Sequence, residues 1–312
     1  MANVAAGTVW NLPNYTGELF TADMIQTPML TMIGGLTGGA MTDNFEFPTD
    51  SQYAHEALAQ ETITETESLT APTAISYVRG QSKNVTQIFM EAIDISYVRM
   101  SNQGRLSGIN TAGGVNNVVS EKDFQIAKAI EATARKVEWH IINGTYAIAA
   151  NAGQPNQTRG MLAACSVNTV AAVGAAFSKL LFDQLLLEMF TNGAIFRNIV
   201  LFCNGGQKQR ISNIYGYAPE DRNVGGVNIK QIETDFGNIG IAPAHRMMPT
   251  TSILLAETSV MDIVFQPVPG KGNFFYEDLA RTGASEKGEL FGQIGLAHGP
   301  AFMHGSLTGL LA

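Results

Sequence analysis

Residues 120–144 read SEKDFQIAKAIEATARKVEWHIING, the longest helical pattern in the chain. Ser120 followed by Asp123 predicts where it starts: a hydroxyl can accept an orphan first-turn amide, and a carboxylate suits the positive end of a helix. Ile126, Ala127, Ile130, Ala134, Val137 and Ile141 recur at three- and four-residue steps, which predicts one apolar face. Lys122, Lys128, Glu131, Arg135 and Glu138 fill much of the remainder. Asn143-Gly144 predicts a left-handed C-cap. At about 1.5 Å per residue such a helix is roughly 36 Å long, the span of a small domain. The rest of the chain is expected to be arranged along it.

Upstream, residues 1–42 are rich in Gly, Thr and Met, and only residues 18–25 hint at a short helix. The run GGLTGG at 34–39 is flexible; it lacks the Lys-Ser/Thr that a phosphate loop requires. Residues 43–100 read as a long two-stranded excursion. A strand starts at 44–47, an acidic Thr-rich segment spans 62–69, Pro72 breaks the chain, and the return runs through 74–78, 84–90 and 92–99. The pentapeptide ISYVR occurs at 75–79 and 95–99 and is read as two similar strands, because nothing around it repeats. An extended hairpin with few core-sized residues is marginal alone and implies a covering partner.

Downstream, residues 177–190, FSKLLFDQLLLEMF, predict a mostly buried helix stopped by Asn192-Gly193. The apolar run 198–203 predicts a strand covered on both faces. A short helix at 207–215 and strands at 227–233, 237–241 and 252–256 complete an α/β unit over 160–256. Short strands with Gly/His turns follow over 260–312.

Of the 312 residues, 45 % are hydrophobic and only 15 % charged, which suits either a large buried core or extensive subunit contact. No run reaches the 18 apolar residues of a membrane span, and the first residues lack a basic, apolar signal pattern. Cys165 and Cys203 are far apart, which suits a reducing compartment and buried apolar roles. Four Asn-x-Ser/Thr matches, at Asn14, Asn84, Asn143 and Asn156, are read as chance. The net charge of −8 is uneven: residues 1–78 hold nine acidic residues and no Lys or Arg, and Arg79 is the first base. A basic nucleic-acid-binding tail is excluded, since phosphate neutralisation needs clustered bases.

No catalytic, cofactor-binding or metal-binding residue is assigned. His55-Glu56 lacks the second His of a zinc helix, and no Gly-x-Ser-x-Gly, Cys-x-x-Cys or strand-linked Gly-x-Gly-x-x-Gly occurs. His298 and His304 are read as turn or interface histidines, Glu65/Glu67 and Glu277/Asp278 as solvated, Trp139 as packing, and the 13 Met as core and interface filler.

Five stretches in this order resemble the major capsid proteins of tailed bacteriophages with the Hong Kong 97-type (HK97-like) fold, in the SU10-like branch. They are 84–96 (the return strand of an extended loop), 120–144 (a spine helix), Thr158-Arg159-Gly160-Met161 (a post-spine turn), 236–249 and 279–305. The resemblance implies an α+β chain divided as an N-terminal arm (1–42), an extended β-hairpin loop (43–98) and a peripheral domain (99–159) with its spine helix at 120–143. An axial α/β domain (160–257) and peripheral closing strands (258–312) follow. It implies self-assembly into pentamers and hexamers of an icosahedral shell around double-stranded DNA, without sequence-specific binding. It also implies a portal, a separate scaffolding protein, a possible decoration protein, no membrane, no cofactor, no metal and no enzymatic activity. The virion capsid would be its place, with assembly in the host cytoplasm. Lys83 lies near the loop, but no Asn and Glu partner can be assigned, so no crosslink is expected. An encapsulin-like compartment shell is the alternative within the fold, and a cytosolic α/β enzyme the alternative outside it.

Overall fold

The computed structural model of the protein describes residues 27–53, 60–71, 76–77, 79–101, 121–215 and 231–312. The expected helix at 18–25, the Ser120 cap, the break at Pro72 and the beginning of the strand at 227 lie outside the described residues. Three helices of the first half are α1 (Pro28–Met32), α2 (Tyr97–Ser101) and α3 (Glu121–Asn143). α3 is the predicted long helix, about 34 Å from end to end. Its buried positions are Ala129, Thr133, Val137, Glu138, Ile141 and Ile142. Val137 and Ile141 of the expected face are buried and Ile126 and Ala134 pack against the core, but two positions depart from it. Ile130 is 38 % exposed and Ala127 is exposed, while Glu138, expected on the polar side, is fully buried. The apolar positions mark two faces, and periodicity alone cannot say which one meets the core.

α3 packs on a five-stranded sheet whose axis is β12 (Ser285–Ala297). β4 (Gln87–Ser96) runs antiparallel along one edge of β12. β11 (Phe274–Leu279) and β10 (Asp262–Phe265) follow one another along the other edge, and the short β1 (Ala40–Met41) adds in parallel to β10. Period-two alternation sends Phe89, Ile93 and Ile95 of β4 toward the core and leaves Ile88 and Met90 exposed.

The hairpin itself is β2 (Glu46–Tyr53) paired with β3 (Arg79–Val85), a separate two-stranded ribbon with a register shift between Pro48 and Asp50. The reading that carried its return strand through 99 is corrected twice. β4 belongs to the main sheet, where ten residues pair with β12. The second ISYVR turns helical at Tyr97, so its identity with the first does not make two strands. Long-range pairing partners, not local propensity, decide both outcomes.

The second sheet has six strands in the order β5-β13-β9-β6-β8-β7. These are β5 (Thr169–Ala171), β6 (Ile199–Cys203), β7 (Gln231–Thr234), β8 (Gly237–Pro243), β9 (Ile253–Glu257) and β13 (Gly305–Thr308). β9 is buried at every residue, as a central strand covered on both faces must be. α5 (Lys179–Thr191) and α6 (Gly205–Tyr215) contribute Phe182, Leu185, Leu186, Met189 and Ile211 to one face. Phe202, Leu254 and Ala256 on the other face join the core shared with α1, α3 and the short α4 (Met161–Ala164). Each fully buried Phe or Leu contributes about 1.5–3 kcal/mol. β13 comes from the stretch expected to close the peripheral domain. It lies instead between β5 and β9, so the α/β unit is completed by the last residues of the chain.

The predicted stop of α5 holds, with Gly193 at φ +89°, but the helix starts at Lys179 and not at Phe177, because Ser178 Oγ accepts from Leu181 N–H and caps it. The predicted left-handed cap of α3 does not hold, since Gly144 has no positive φ. Its glycine is required by close approach. A Cβ there would sit 2.5 Å from the carbonyl oxygens of His140 and Thr158, and one on Gly160 would sit 2.4 Å from the Gly144 nitrogen. The chain thus turns back against the end of α3 with two backbones in contact, and Gly160 N–H donates to Gly144 O at 2.9 Å. Gly160→Ala is expected to destabilise the subunit by more than about 2 kcal/mol in urea unfolding. Ile130→Asp is expected to cost less than about 1 kcal/mol, whereas Val137→Asp places a carboxylate in the core and should leave no folded protein.

Candidate functional site

The first residues described are held from a distance. α1 begins with Pro28 at its first position, and Thr27 supplies no side-chain cap. The exposed first-turn amides are taken by α3 instead: Met29 N–H donates to Glu138 Oε1 at 3.0 Å and Leu30 N–H to Oε2 at 2.6 Å. Met29, Leu30 and Ile33 then enter the main core. A carboxylate across a helix N-terminus satisfies orphan donors and opposes the helix dipole. Burial raises the Glu138 carboxyl to about 7, against the lowering effect of the Leu30 and Met29 amides. Residues 29–33 are therefore tied into the subunit's own core.

The root of the hairpin is fixed by another buried polar residue. Asn84 Nδ2 donates to Leu296 O at 2.7 Å and to Arg159 O at 3.1 Å, and Asn84 Oδ1 accepts from Arg159 N–H at 2.7 Å. A glycosylated Asn84 is incompatible with this burial. Phe47 fits over Gly295, where a Cβ would lie 2.8 Å from the ring. Beyond this root no third strand among the described residues joins the ribbon, and residues 60–71 between its strands are exposed throughout. Within them Glu67 accepts from Thr64 N–H and Oγ1, both at 2.8 Å, which lowers its carboxyl; Leu69 is 85 % exposed.

The two longest helices show apolar side chains to the outside. α3 exposes Ile130 and Trp139 beside the Lys128–Glu131 ion pair. α5, expected to be mostly buried, exposes Leu180, Leu187 and Phe190; Phe190, Phe196 and Phe236 stack at 5.1 and 5.5 Å. A helix apolar on all sides in a subunit this size is a helix awaiting a second cover.

The residues weighed for chemistry fall into structural roles. His298 and His304, expected at turns or interfaces, are buried. His304 Nδ1 accepts from Glu257 N–H at 3.2 Å, and its Nε2 faces His298 O at 2.5 Å, which fixes the neutral tautomer; desolvation lowers it to about 4. Glu257 is occupied by the amides of Arg197 and Asn198 and by Ser259. Glu65 and Glu67 are exposed, Asp278 pairs with Lys122 and Tyr276, and Glu277 pairs with Lys271. Cys165 and Cys203 are buried thiols whose ionisation desolvation disfavours, Cys203 rising to about 12. Among the described residues no group of three or more His, Cys, Asp or Glu could hold a metal ion. No helix among them is long and apolar enough to cross a membrane. Sequence reasoning missed Glu138 and Asn84, whose partners lie 75 to 212 residues away in the chain.

A core-complete body with an uncovered ribbon and uncovered apolar helix faces defines a subunit built to be joined to others. The chain matches the sequence model of the family described as SU10 major capsid protein over residues 2–311, and it belongs to that family. It is a phage shell protein with the Hong Kong 97-type fold. A comparison with curated proteins returns no match. Among solved structures it is similar to the holo-SrpI encapsulin complex of Synechococcus elongatus PCC 7942, at 13 % identity and TM-score 0.58, covering 95 % of this chain and 92 % of that one. It is also similar to the capsid of a native GTA particle (11 %, 0.59, 95 % and 95 %) and to Mycobacterium phage Cain (12 %, 0.56, 93 % and 92 %). At these identities the likeness is one of fold.

The raised Glu138 carboxyl gives a pH signature. The folded state holds this proton more tightly than the unfolded chain, so its contribution to stability is present below about pH 4.5 and is lost as pH rises through about 7. The depressed His298 and His304 act with the opposite sign below their ordinary pKa. The difference between wild type and Glu138→Gln isolates the carboxyl. In urea titrations the wild type should lose on the order of 3 kcal/mol relative to the Gln variant between pH 4.5 and 8.

Proposed function

We propose that copies of this chain form pentamers and hexamers of an icosahedral shell enclosing double-stranded DNA, each subunit's hairpin lying across a neighbour. The observation that carries this reading is the hairpin. Among the described residues its ribbon gains no third strand, and its far segment presents Ile63 and Leu69 among Glu61, Glu65 and Glu67, all exposed. A two-stranded ribbon is marginal in water unless something packs on it. An acidic segment with apolar knobs complements a surface such as the outer face of α3, which carries Lys128 and Arg135 with Ile130 and Trp139. Interfaces repeated around a closed shell make modest contacts per subunit sufficient.

In this reading residues 1–42 act as an arm and 43–85 as the extended loop, while β4, residues 99–159 and most of 258–312 make the peripheral domain. Residues 160–257 form the axial domain, completed by β13. A net charge of −8 suits a wall that must not grip the packed genome. The partners implied are a portal, a separate scaffolding protein and a decoration protein; assembly takes place in the host cytoplasm, and the chain is not an enzyme. The likeness to an encapsulin complex supports a second reading, a compartment shell around protein cargo. Nuclease-protected DNA in particles from infected or lysing cells favours the first, and copurifying cargo protein the second.

Replacing residues 60–71 by a short Gly/Ser linker tests the carrying observation. The subunit should keep its thermal midpoint within about 2 °C, because nothing in its core is touched, and negative-stain micrographs should show no closed shells. Closed shells at wild-type yield would sink the hairpin's role.

A further inference from the structure

Val173 takes φ +50° and is 89 % exposed. A β-branched residue in the left-handed region is a steric outlier, and such strain persists only where the surroundings over-determine it. Here they do. Ala172 N–H donates to Thr308 O at 2.7 Å, Gly174 N–H to Gly309 O at 2.6 Å, Ala175 N–H to Ala172 O and Leu311 N–H to Ala175 O, both at 2.9 Å. The loop is clamped onto the last residues of the chain, and the valine is held outward. Glycine or asparagine would suit this backbone better. Inside the subunit the isopropyl group gains almost no burial for the strain it carries.

The surroundings say what covers it. Gly305 faces Met189 and Leu185 in the second half of α5, while Leu311 N–H reaches Ala175 O just before α5 begins, so residues 305–311 run toward the start of that helix. That places Leu180, 78 % exposed, at the same end as Val173 and the exposed Leu311. Ala171, Ala175 and Ala176 are exposed beside them and admit close backbone approach. Residues 160–178 and 305–312 contain no charged residue. Lys179 and Arg210 stand at the rim, and Arg210 is engaged by the carbonyls of Leu311 and Ala312. An apolar, charge-free centre with a polar rim is the composition of a protein contact, and it offers no row of cations to nucleic acid.

We propose that Val173 is a knob that inserts into a second copy of this chain, with Leu180 and Leu311 forming the rest of the contact. The proposal rests on the shell reading above, because a capsid protein's rings need head-to-tail contacts between unlike surfaces of one chain. The strain is then tolerated in the free subunit because the assembled one uses it.

Val173→Gly and Val173→Asn in the full chain test this, since both residues accept the left-handed backbone and both remove the apolar tip. Thermal unfolding of the unassembled subunit and particle yield by mass photometry are measured alongside wild type. The Gly variant should unfold roughly 2–4 °C higher, and both variants should lose at least about tenfold in particle yield. Wild-type particle yield in both variants, or a Gly subunit less stable than wild type, overturns the contact while leaving the shell reading intact. A wild-type chain that stays monomeric at every concentration overturns both.

Discussion

The subunit depends on one buried carboxylate. Glu138 sits at zero exposure near the C-terminal end of α3 and receives the first-turn amides of a helix more than a hundred residues upstream. Taking a carboxyl out of water is costly, and two amide donors at a helix N-terminus are what make it tolerable. In return α1 is pinned where Met29, Leu30 and Ile33 can join the core that also holds Ile141, Met161, Phe202 and Leu254. Without that carboxylate, a five-residue helix has no reason to form in water. Without α1, Glu138 is a buried group with no partner. The arm and the long helix are each a condition of the other.

From this centre the molecule divides by what it can satisfy alone. The five-stranded sheet, α3 and the six-stranded sheet bury their apolar faces on one another, and the close approach of Gly144 and Gly160 locks the turn between them. The ribbon β2–β3 is anchored at its root by Asn84 and Phe47, and no further strand among the described residues joins it. The outer sides of α3 and α5 carry apolar residues that the subunit leaves in water. A capsid protein can hold such surfaces because its working state is the shell, where neighbours supply the missing layer.

The sequence makes α3 and α5 legible by their length and local stop signals, such as Gly193 on α5, and β6 by its continuous apolar run. The order of five stretches makes the family legible. What escapes is set by distant partners. α1 carries no capping residue of its own, since its cap is Glu138. β13 looks like a closing strand until β5 and β9 take it from both sides. The second ISYVR is identical to the first, yet the chain leaves the sheet there and turns helical beside α3. The apolar face of α3 is only partly placed: Ala127 and Ile130 are exposed although they fall in step with Ala134, Val137 and Ile141, which meet the core. In a protein that assembles, an apolar residue can be aimed at a neighbour, and periodicity does not distinguish that from the core.

The central claim is that a self-sufficient body carries a ribbon and helix faces that only other copies complete. Hydrogen–deuterium exchange, comparing the unassembled subunit with purified particles, measures this directly. The account predicts that α3, β6 and β9 are strongly protected in both. It predicts that residues 46–53, 60–71 and 79–85 exchange fast in the free subunit and become protected in the particle. Equal protection of the ribbon in both states would contradict it, for the ribbon would then be stabilised within its own subunit.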